Sequence, residues 1–376
     1  MEKCKSTCIT RREYHMDLAI FGAQAIALGA YEAIHSLYPE RKIRCFLVTE
    51  RGNNAEYCAG IPVLELAAFS GGLSASEKKH LEILIATPED VMPVIEDSLD
   101  ACGLTCHVRL TSLRWAELMG YYCVQNRSCM PLSALPVGYH RADIHMFQAR
   151  FHKDRPLASV CDLPEWVVPI QVGAALCEER VADMADCDGE NISGKNVNYS
   201  ELTALYWVWK NRLSVPSFSG EEAYYGLCHY RRILNLTDDD LLRLPDNEVD
   251  VVLPYPMPYE PDIEAHHHRY LKKEDWDAVL RAVLELQPEY ANVFPGILKQ
   301  RFLYNYNILL AGKEVLAEYC AWLFPILERV EQYSVPQGKD RKDRYIGYVG
   351  ETLETLYFMY NKDRLQITHA GCRFLT

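Results

Sequence analysis

Short apolar runs alternate with stretches of helical periodicity along the first part of the chain. The runs at Asp17–Phe21, Ile43–Thr49 and Leu81–Thr87 predict buried strands, and a helical pattern extends from Gly22 to Ile34. Strands that alternate with helices indicate a parallel sheet covered by helices on both faces. We therefore expect a Rossmann-like α/β module over residues 1–125.

A second α/β pattern follows a stretch without helical period. Residues 126–142 contain two prolines and a glycine, which predicts a linker. Apolar runs at Asp143–Ala149, Val167–Val172 and Tyr224–Cys228 then predict further strands, with helical patterns between and after them. We expect residues 143–376 to form a second α/β domain.

The turn after the first strand is a candidate nucleotide site. A dinucleotide-binding turn needs glycines that let the backbone approach a pyrophosphate at a helix N-terminus. Here Gly22 is present, but Gln24 occupies the position where a second glycine would make room. Glu50, at the end of the second strand, is placed to reach a ribose hydroxyl. We expect weak nucleotide binding or an interaction module rather than an oxidoreductase.

Composition narrows the range of partners. The 376 residues carry a net charge of −13, which argues against nucleic acid as the main partner. No apolar run approaches the roughly 20 residues of a membrane helix, and Met1–Tyr14 lacks a signal-peptide core. The expectation is a cytoplasmic protein. The 14 cysteines show no repeated C-x-x-C spacing, so we expect no zinc site.

Two polar segments of the second domain carry candidate chemistry. An apolar strand ends in His229-Tyr230-Arg231-Arg232, and guanidinium groups bind phosphate oxygens in a bidentate manner, although paired surface charges are the ordinary interpretation. A loop that leads into a helix is also rich in polar groups: Asp186, Asp188, Glu190, Asn191, Lys195 and Asn196. A solvated loop and a binding site are equally compatible with it.

The helix after this loop has its own signature. Asn198 with Glu201 three residues later predicts a variant capping box at its start. One face of the helix then carries a stripe of apolar and aromatic residues, which we expect to pack in the core: Leu202, Leu205, Tyr206 and Trp209.

Several motifs occur in a fixed order along the second domain. They are Gly189–Asn196 (GENISGKN), Glu201–Asn211 (ELTALYWVWKN), Gly226–Arg232 (GLCHYRR), Pro288–Tyr290 (PEY), Tyr304–Leu310 (YNYNILL), Tyr319–Leu327 (YCAWLFPIL) and Arg344–Glu351 (RYIGYVGE). Together they resemble a bacterial family of capsule and exopolysaccharide glycosyltransferases catalogued as a domain of unknown function. The resemblance covers about residues 143–376. The first 125 residues look like a Rossmann-like leader fused to some members.

The resemblance implies an A-type-glycosyltransferase-like fold and transfer of a sugar from a nucleotide-diphosphate donor, in some members galactofuranose. Many such enzymes hold the diphosphate through an Asp-x-Asp pair and a divalent metal. Here the corresponding strand ends in His229, Arg231 and Arg232, and our hypothesis is that these residues replace the metal. An Asp-x-Asp does occur at Asp186 and Asp188, which leaves Mn or Mg open as an alternative.

The same resemblance suggests roles for later residues. Glu351 follows a glycine-rich turn, and we expect it to be the catalytic base; a carboxylate that merely stabilises a helix start is the alternative. Asn307 is expected at the sugar pocket, and Lys195 and Asn196 at the nucleotide. Arg344 ends a charged run, Lys339–Arg344, that is either a solvated loop or a lid over the donor.

Three consecutive histidines, His266-His267-His268, cannot all face one ion on regular structure, so contact with an acceptor or a phosphate is the stronger alternative to a metal site.

Three functional classes remain distinguishable by experiment. The first is a glycosyltransferase that acts on a lipid-linked or polysaccharide acceptor, with peripheral attachment at the inner membrane face as an implication of the pathway. The second is a non-catalytic nucleotide-sugar-binding or scaffold protein, which would bind the donor without transfer. The third is an NAD-dependent sugar-nucleotide oxidoreductase, which would show nicotinamide binding to residues 1–125.

Overall fold

The structure is a computed structural model that describes residues 17–158, 162–213 and 223–376. The polar N-terminus considered above, Met1–Tyr14, lies outside these ranges. The chain divides into two compact units, Met1–Gln125 and Asn126–Thr376. No described helix is both long and apolar enough to cross a membrane.

The first unit is a parallel sheet with helices. Its described strands are β1 (Asp17–Phe21), β2 (Ile43–Val48), β3 (Tyr57–Cys58), β4 (Ile61–Glu65), β5 (Leu81–Ile85) and β6 (His107–Arg109). Its described α-helices are α1 (Ala25–Leu37), α2 (Leu66–Gly71), α3 (Ala75–Lys79), α4 (Met92–Ala101) and α5 (Ser112–Asn126). The strand order is β3-β4-β2-β1-β5-β6, and every pair except β3/β4 is parallel. From β1 the chain builds outward through β2 and β4, and it then returns to place β5 and β6 on the other side of β1. This is the doubly wound pattern expected of a Rossmann-like sheet.

The conformation of the turn after β1 requires a glycine. Gly22 has φ of +123°, and a Cβ there would lie 2.6 Å from the Ala86 carbonyl oxygen, so a side chain does not fit. Gln24 is exposed and its amide donates to Asn54 Oδ1 at 2.5 Å. Glu50 is exposed at the end of β2. Nucleotide binding at this turn remains a prediction.

The second unit is a larger mixed sheet flanked by helices. Its described strands are β7 (Asp143–Arg150), β8 (Val167–Gln171), β9 (Met184–Ala185), β10 (Ala223–His229), β11 (Arg232–Leu234), β12 (Val251–Pro254), β13 (Met257–Pro258), β14 (Phe302–Leu303), β15 (Leu309–Gly312), β16 (Ile367–Ala370) and β17 (Cys372–Phe374). Its described α-helices are α6 (Asn196–Tyr199), α7 (Leu202–Val208), α8 (Asp238–Asp246), α9 (Ile263–His267), α10 (Lys273–Leu286), α11 (Pro288–Ala291), α12 (Phe294–Lys299), α13 (Lys313–Tyr333) and α14 (Tyr345–Tyr360).

The sheet order of this unit creates a crevice. The main path runs β16-β12-β15-β10-β7-β8-β9, with β15 antiparallel to both of its neighbours. From β7 the chain first builds outward through β8 and β9, and it then returns to place β10 on the other side of β7, parallel to it. Such a reversal opens a crevice at the carboxyl ends of the two central strands, where α/β proteins bind ligands.

The main core of the unit packs α7, α10, α13 and α14 against one face of the sheet. Leu202 and Leu205, expected to be buried, are at most 1% exposed. Tyr206 and Trp209, from the same predicted face, are only partly buried and pack against this core. The capping box predicted for Asn198 and Glu201 does not form. Asn198 lies inside α6 and its amide donates to the carbonyl oxygens of Gly338 and Arg341, while the Glu201 side chain makes no capping bond at the start of α7.

Candidate active site

A cavity of about 720 Å³ opens at the carboxyl ends of β7 and β10. The loop after β7 contributes Phe151, Lys153 and Asp154 to its lining. The hairpin after β10 contributes His229, Tyr230 and Arg232, and the start of α7 contributes Ser200 and Glu201. The remaining charged and aromatic lining at this end comes from α14 and the loop before it: Lys342, Arg344, Gly347, Tyr348 and Glu351. The sheet reversal thus gathers residues that lie up to 200 positions apart.

Cationic side chains dominate part of this lining. Lys153, Arg232, Lys342 and Arg344 stand against three carboxyl groups, those of Asp154, Glu201 and Glu351. The Nε of Arg344 donates to Ser200 Oγ at 2.9 Å, which fixes this guanidinium at the cavity wall. A concave site with such an excess of cations favours an anionic ligand.

The two adjacent arginines behave differently. Arg232 lines the cavity, and its guanidinium carbon lies 4.2 Å from the ring centre of Tyr306 and 5.0 Å from that of Phe374. Arg231 is not among the lining residues; its guanidinium packs on the Tyr230 ring at 5.3 Å. Alternation along the hairpin therefore presents one of the two predicted arginines to the cavity.

Glu201 forms a buried polar cluster with two residues from other elements. Its Oε1 accepts a hydrogen bond from Asn307 Nδ2 at 2.6 Å and lies 3.6 Å from His229 Nε2. Burial alone would raise the pKa of this carboxyl, but His229 and the Asn307 amide outweigh burial and hold the pKa below its usual value. Glu201 is therefore ionised at neutral pH.

His229 is fixed by the loop that carries Tyr306. Its Nε2 lies 2.8 Å from the Tyr306 carbonyl oxygen and donates to it. Asn307, predicted at the sugar pocket, is 1% exposed and lies behind Glu201 rather than on the lining.

Glu351 differs from Glu201 in its protonation. The side chain is 12% exposed, and its Oε1 accepts from the Tyr306 backbone N–H at 3.0 Å. Burial and the neighbouring Glu201 carboxylate raise the pKa of Glu351 to about 8, against the opposing effects of the Tyr306 N–H, His229 and Arg344. Two carboxyls with pKa values pushed apart are typical of acid–base sites.

A buried histidine lies behind Glu351. The Nδ1 of His267 is 3.0 Å from the Thr352 hydroxyl, and its Nε2 is 3.8 Å from Glu351 Oε2. The His267 side chain is fully buried, and burial lowers its pKa to about 4, so the ring is neutral. The Thr352 hydroxyl and the Glu351 carboxyl thus face the two nitrogens of a neutral imidazole.

Glu351 does not open its helix. The sequence suggested a helix start at Glu351, but α14 begins at Tyr345, so Glu351 lies in its second turn. An interaction with the helix N-terminus would lower the pKa of a carboxyl, whereas that of Glu351 is raised.

Backbone strain concentrates beside the cavity. Among the described non-glycine residues, seven have positive φ, and four of them are Ser200, Tyr306, Asn307 and Arg344. Three of these line the cavity and Asn307 supports Glu201. Such conformations cost about 1–3 kcal/mol each and are retained mainly where function requires them.

The loop with the Asp-x-Asp sequence is built differently from a metal site. Asp186 is fully buried, and its carboxylate accepts from the backbone N–H groups of Gly173 and Ala174 and from the Ser193 hydroxyl. Asp188 is exposed and lies outside the cavity lining. The pair therefore does not fit a shared metal, and the structure holds no group of three or more metal-ligating side chains among the residues it describes.

The other predicted donor-binding residues of that loop have different surroundings, and not all of them reach the cavity. Asn191 bonds its own loop, donating to the carbonyl oxygens of Cys187 and Gly189. Lys195 pairs with Glu331 at 2.6 Å and is not on the lining. Asn196 does line the cavity.

The three consecutive histidines have separate environments. His266 lines the cavity, His267 is buried behind Glu351, and His268 is exposed with its Nε2 3.7 Å from Glu264. They do not converge on one point.

Several cavity residues carried no clear signal in the sequence. Glu201 matched a helix cap, and its contacts with His229 and Asn307 depend on residues far along the chain. Asp154 follows β7 in an ordinary polar loop; burial raises its pKa, with His229, Arg344 and Arg231 acting in the opposite direction. The motif Tyr304–Leu310 indicated the segment that contributes Tyr306, but not that residue.

Comparisons with known proteins address the fold and the family. A search of curated proteins finds no significant match. A solved structure described as the apo form of WbbM, a bifunctional glycosyltransferase, is similar with a TM-score of 0.51 and 24% identity, over 62% of this chain and 45% of that one. This chain thus spans less than half of that structure. At this identity the likeness concerns the fold, and it confirms the expected α/β class.

The family evidence is direct. A family model described as "Domain of unknown function (DUF4422)" matches residues 149–362, which include the whole lining of the cavity. This match covers more than half of the chain, and the protein therefore belongs to the DUF4422 family.

Proposed function

We propose that the protein is a glycosyltransferase that moves a sugar from a nucleotide-diphosphate donor to an acceptor hydroxyl. The observation that carries this proposal is the cavity at the sheet reversal, which combines four cationic side chains with a carboxyl whose pKa is about 8. Glycosyl transfer from such a donor needs these two elements, a positive site for the departing diphosphate and a base for the acceptor proton.

The diphosphate is assigned to the cationic part of the lining. Arg232 is held between two rings and Arg344 by Ser200, so both guanidinium groups are positioned before a ligand arrives. Lys342 and Lys153 add positive charge to the same lining. When the bond between the sugar C1 and the diphosphate oxygen breaks, the electron pair stays on that oxygen, and the cations stabilise the charge.

Glu351 is assigned as the base. As the acceptor oxygen bonds to C1, its proton passes to a carboxylate oxygen of Glu351. A pKa near the working pH is the best compromise between being ionised and being basic. Glu201, with its lowered pKa, stays ionised and helps to keep the pKa of Glu351 high.

The proposed transfer does not rely on the Asp-x-Asp pair. Asp186 is already saturated by three donors in the protein, so it has little capacity to ligate an ion. Arg232 lies in the hairpin where the resemblance would place a metal-binding pair.

The acceptor is proposed to be a capsule or exopolysaccharide chain, free or lipid-linked, and the donor sugar to be galactofuranose. These two finer assignments rest on the order of sequence motifs and not on a contact in the cavity. A lipid-linked acceptor would place the reaction at a membrane surface.

A transfer assay tests the proposal. The purified full-length chain is incubated with a panel of labelled nucleotide-sugars, with added Mn²⁺ or with a chelator, and released nucleoside diphosphate is measured. We expect release from at least one donor, insensitive to the chelator, and loss of roughly 10²–10⁴-fold in Glu351→Gln. Glu178→Gln, at an exposed loop position outside the cavity, is the matched control. Binding of a donor without turnover would favour the scaffold alternative, and chelator-sensitive turnover would contradict the metal-free assignment.

A further inference from the structure

One side of the cavity is built from stacked rings. Tyr259, His266, Tyr270 and Tyr348 all line the cavity, and we call them the aromatic wall. The ring centres of Tyr259 and His266 are 3.6 Å apart, and those of Tyr270 and Tyr348 are 4.6 Å apart with an angle of 18° between the planes. His266 and Tyr270 join the two pairs at 5.8 Å. The four rings therefore form one continuous surface.

The aromatic wall is uncharged at neutral pH. Burial lowers the pKa of His266 to about 3, with the neighbouring His267 and Arg269 acting in the same direction, so the imidazole is neutral. Burial raises the pKa of the Tyr259 and Tyr348 phenols, which therefore keep their protons. This surface differs chemically from the cationic lining, and it offers little to a diphosphate.

The aromatic wall adjoins the proposed base. The Glu351 Oε2 lies 3.8 Å from His267 Nε2, and the ring centre of His267 is 5.2 Å from that of His266 in the wall. Tyr348 lies one turn before Glu351 on α14. A molecule that rests on the aromatic wall would hold its reactive group beside Glu351.

Tyr270 is the ring best placed to meet such a molecule. It is 45% exposed while it stacks on Tyr348 and lines the cavity. An aromatic ring has a negative face, which attracts the slightly positive C–H groups on the flat side of a sugar ring. The hydroxyl groups at the edge of the sugar stay free to be hydrogen-bonded or to react.

We propose that the aromatic wall is the acceptor subsite, and that the acceptor presents a sugar ring which stacks on Tyr270. The inference rests on the proposed function and extends it, because it names the side chains of the cavity that would hold a saccharide acceptor. The positive lining beside the rings disfavours a cation such as an amine, and the uncharged rings offer no counter-charge to a bare phosphate. The saccharide stacks with one hydroxyl directed toward Glu351.

The test measures binding of simple sugars to the full-length protein. Methyl β-galactopyranoside and methyl β-glucopyranoside are titrated with saturation-transfer NMR, which detects the sugar C–H groups in contact with the protein. We expect at least one glycoside to bind, and Tyr270→Ala to weaken it about five- to tenfold, whereas Tyr270→Phe retains the ring and the affinity. Tyr360→Ala is the matched control, because Tyr360 is 41% exposed and packs on another ring, Tyr290, outside the cavity.

A second titration separates this inference from the proposed function. Uridine and guanosine diphosphates are titrated into the wild type and Tyr270→Ala, alone and in the presence of the glycoside. We expect one nucleotide to bind both proteins equally and to leave glycoside binding intact. Nucleotide binding without any glycoside signal, an unchanged signal in Tyr270→Ala, or competition between glycoside and nucleotide would each overturn the acceptor subsite alone. Absence of nucleotide binding would count against the proposed function.

Discussion

The raised pKa of Glu351 predicts a measurable effect on stability that needs no knowledge of the substrate. In the folded protein this carboxyl has a pKa of about 8, while its ordinary pKa is 4.5. Between these values the unfolded chain releases a proton that the folded chain retains, so the unfolded state binds fewer protons and stability falls as pH rises. Each pH unit in this window costs about 1.4 kcal/mol at most. Glu351→Gln removes the titration while its amide oxygen still accepts from the Tyr306 N–H.

We therefore expect Glu351→Gln to gain stability relative to the wild type by about 3 kcal/mol between pH 5 and pH 8. Urea unfolding followed by tryptophan fluorescence measures this, because five of the six tryptophans lie in the second unit. Glu178→Gln, at an exposed position, should change stability by less than about 0.5 kcal/mol at either pH. Parallel stability curves for Glu351→Gln and the wild type would contradict this prediction, because they would mean that this carboxyl ionises normally in the folded protein.

Three further predictions concern the cavity and its supports. Arg232→Gln should weaken nucleoside diphosphate binding about 10- to 100-fold in a calorimetric titration. Arg231→Gln, outside the cavity lining, should leave the affinity within a factor of two or so. Equal losses in the two variants would contradict the assignment of Arg232 to the diphosphate. Asp186→Ala should lower the free energy of unfolding by about 2–4 kcal/mol, because it leaves three buried donors without an acceptor. Asp188→Ala should change neither the free energy of unfolding nor Mn²⁺ binding measured by electron paramagnetic resonance. Asn198→Ala should cost about 2 kcal/mol and increase hydrogen exchange in residues 338–344, because both of its bonds hold that loop; unchanged exchange would remove Asn198 as its anchor.

The fold was largely predictable because buried strands carry continuous apolar runs. The run Val167–Val172 corresponds to β8, and Asp143–Ala149 to β7. The start of α14 was placed too late, since glycines at 347 and 350 weaken a helical pattern. The structure explains the second glycine by close packing: a Cβ on Gly350 would lie 2.7 Å from Leu202 Cδ1 and 2.8 Å from Asn307 Oδ1.

The site was predictable only where a residue follows a strand or belongs to a distinctive motif. His229, Arg232 and Glu351 were selected in this way, and they lie on one cavity. Glu201 was assigned to a helix cap because its local pattern fits one. Its hydrogen bond to Asn307 spans 106 positions, and no local pattern records such a pairing.

The sequence alone also could not predict which of the two adjacent arginines lines the cavity. Arg231 and Arg232 are chemically identical, and only the direction of the hairpin after β10 decides which of them faces the cavity. The aromatic wall likewise draws on three separate segments, around Tyr259, His266–Tyr270 and Tyr348. Its members are brought together by tertiary packing alone.

A crystal structure of the full-length protein with a bound nucleoside diphosphate would show where the diphosphate lies. We expect its oxygens about 3 Å from the guanidinium groups of Arg232 and Arg344, with Glu351 on the side of the cavity where the sugar would extend. A diphosphate bound instead at the turn after Gly22, or in the Asp186 loop, with Arg232 still packed only between its two rings, would contradict this expectation.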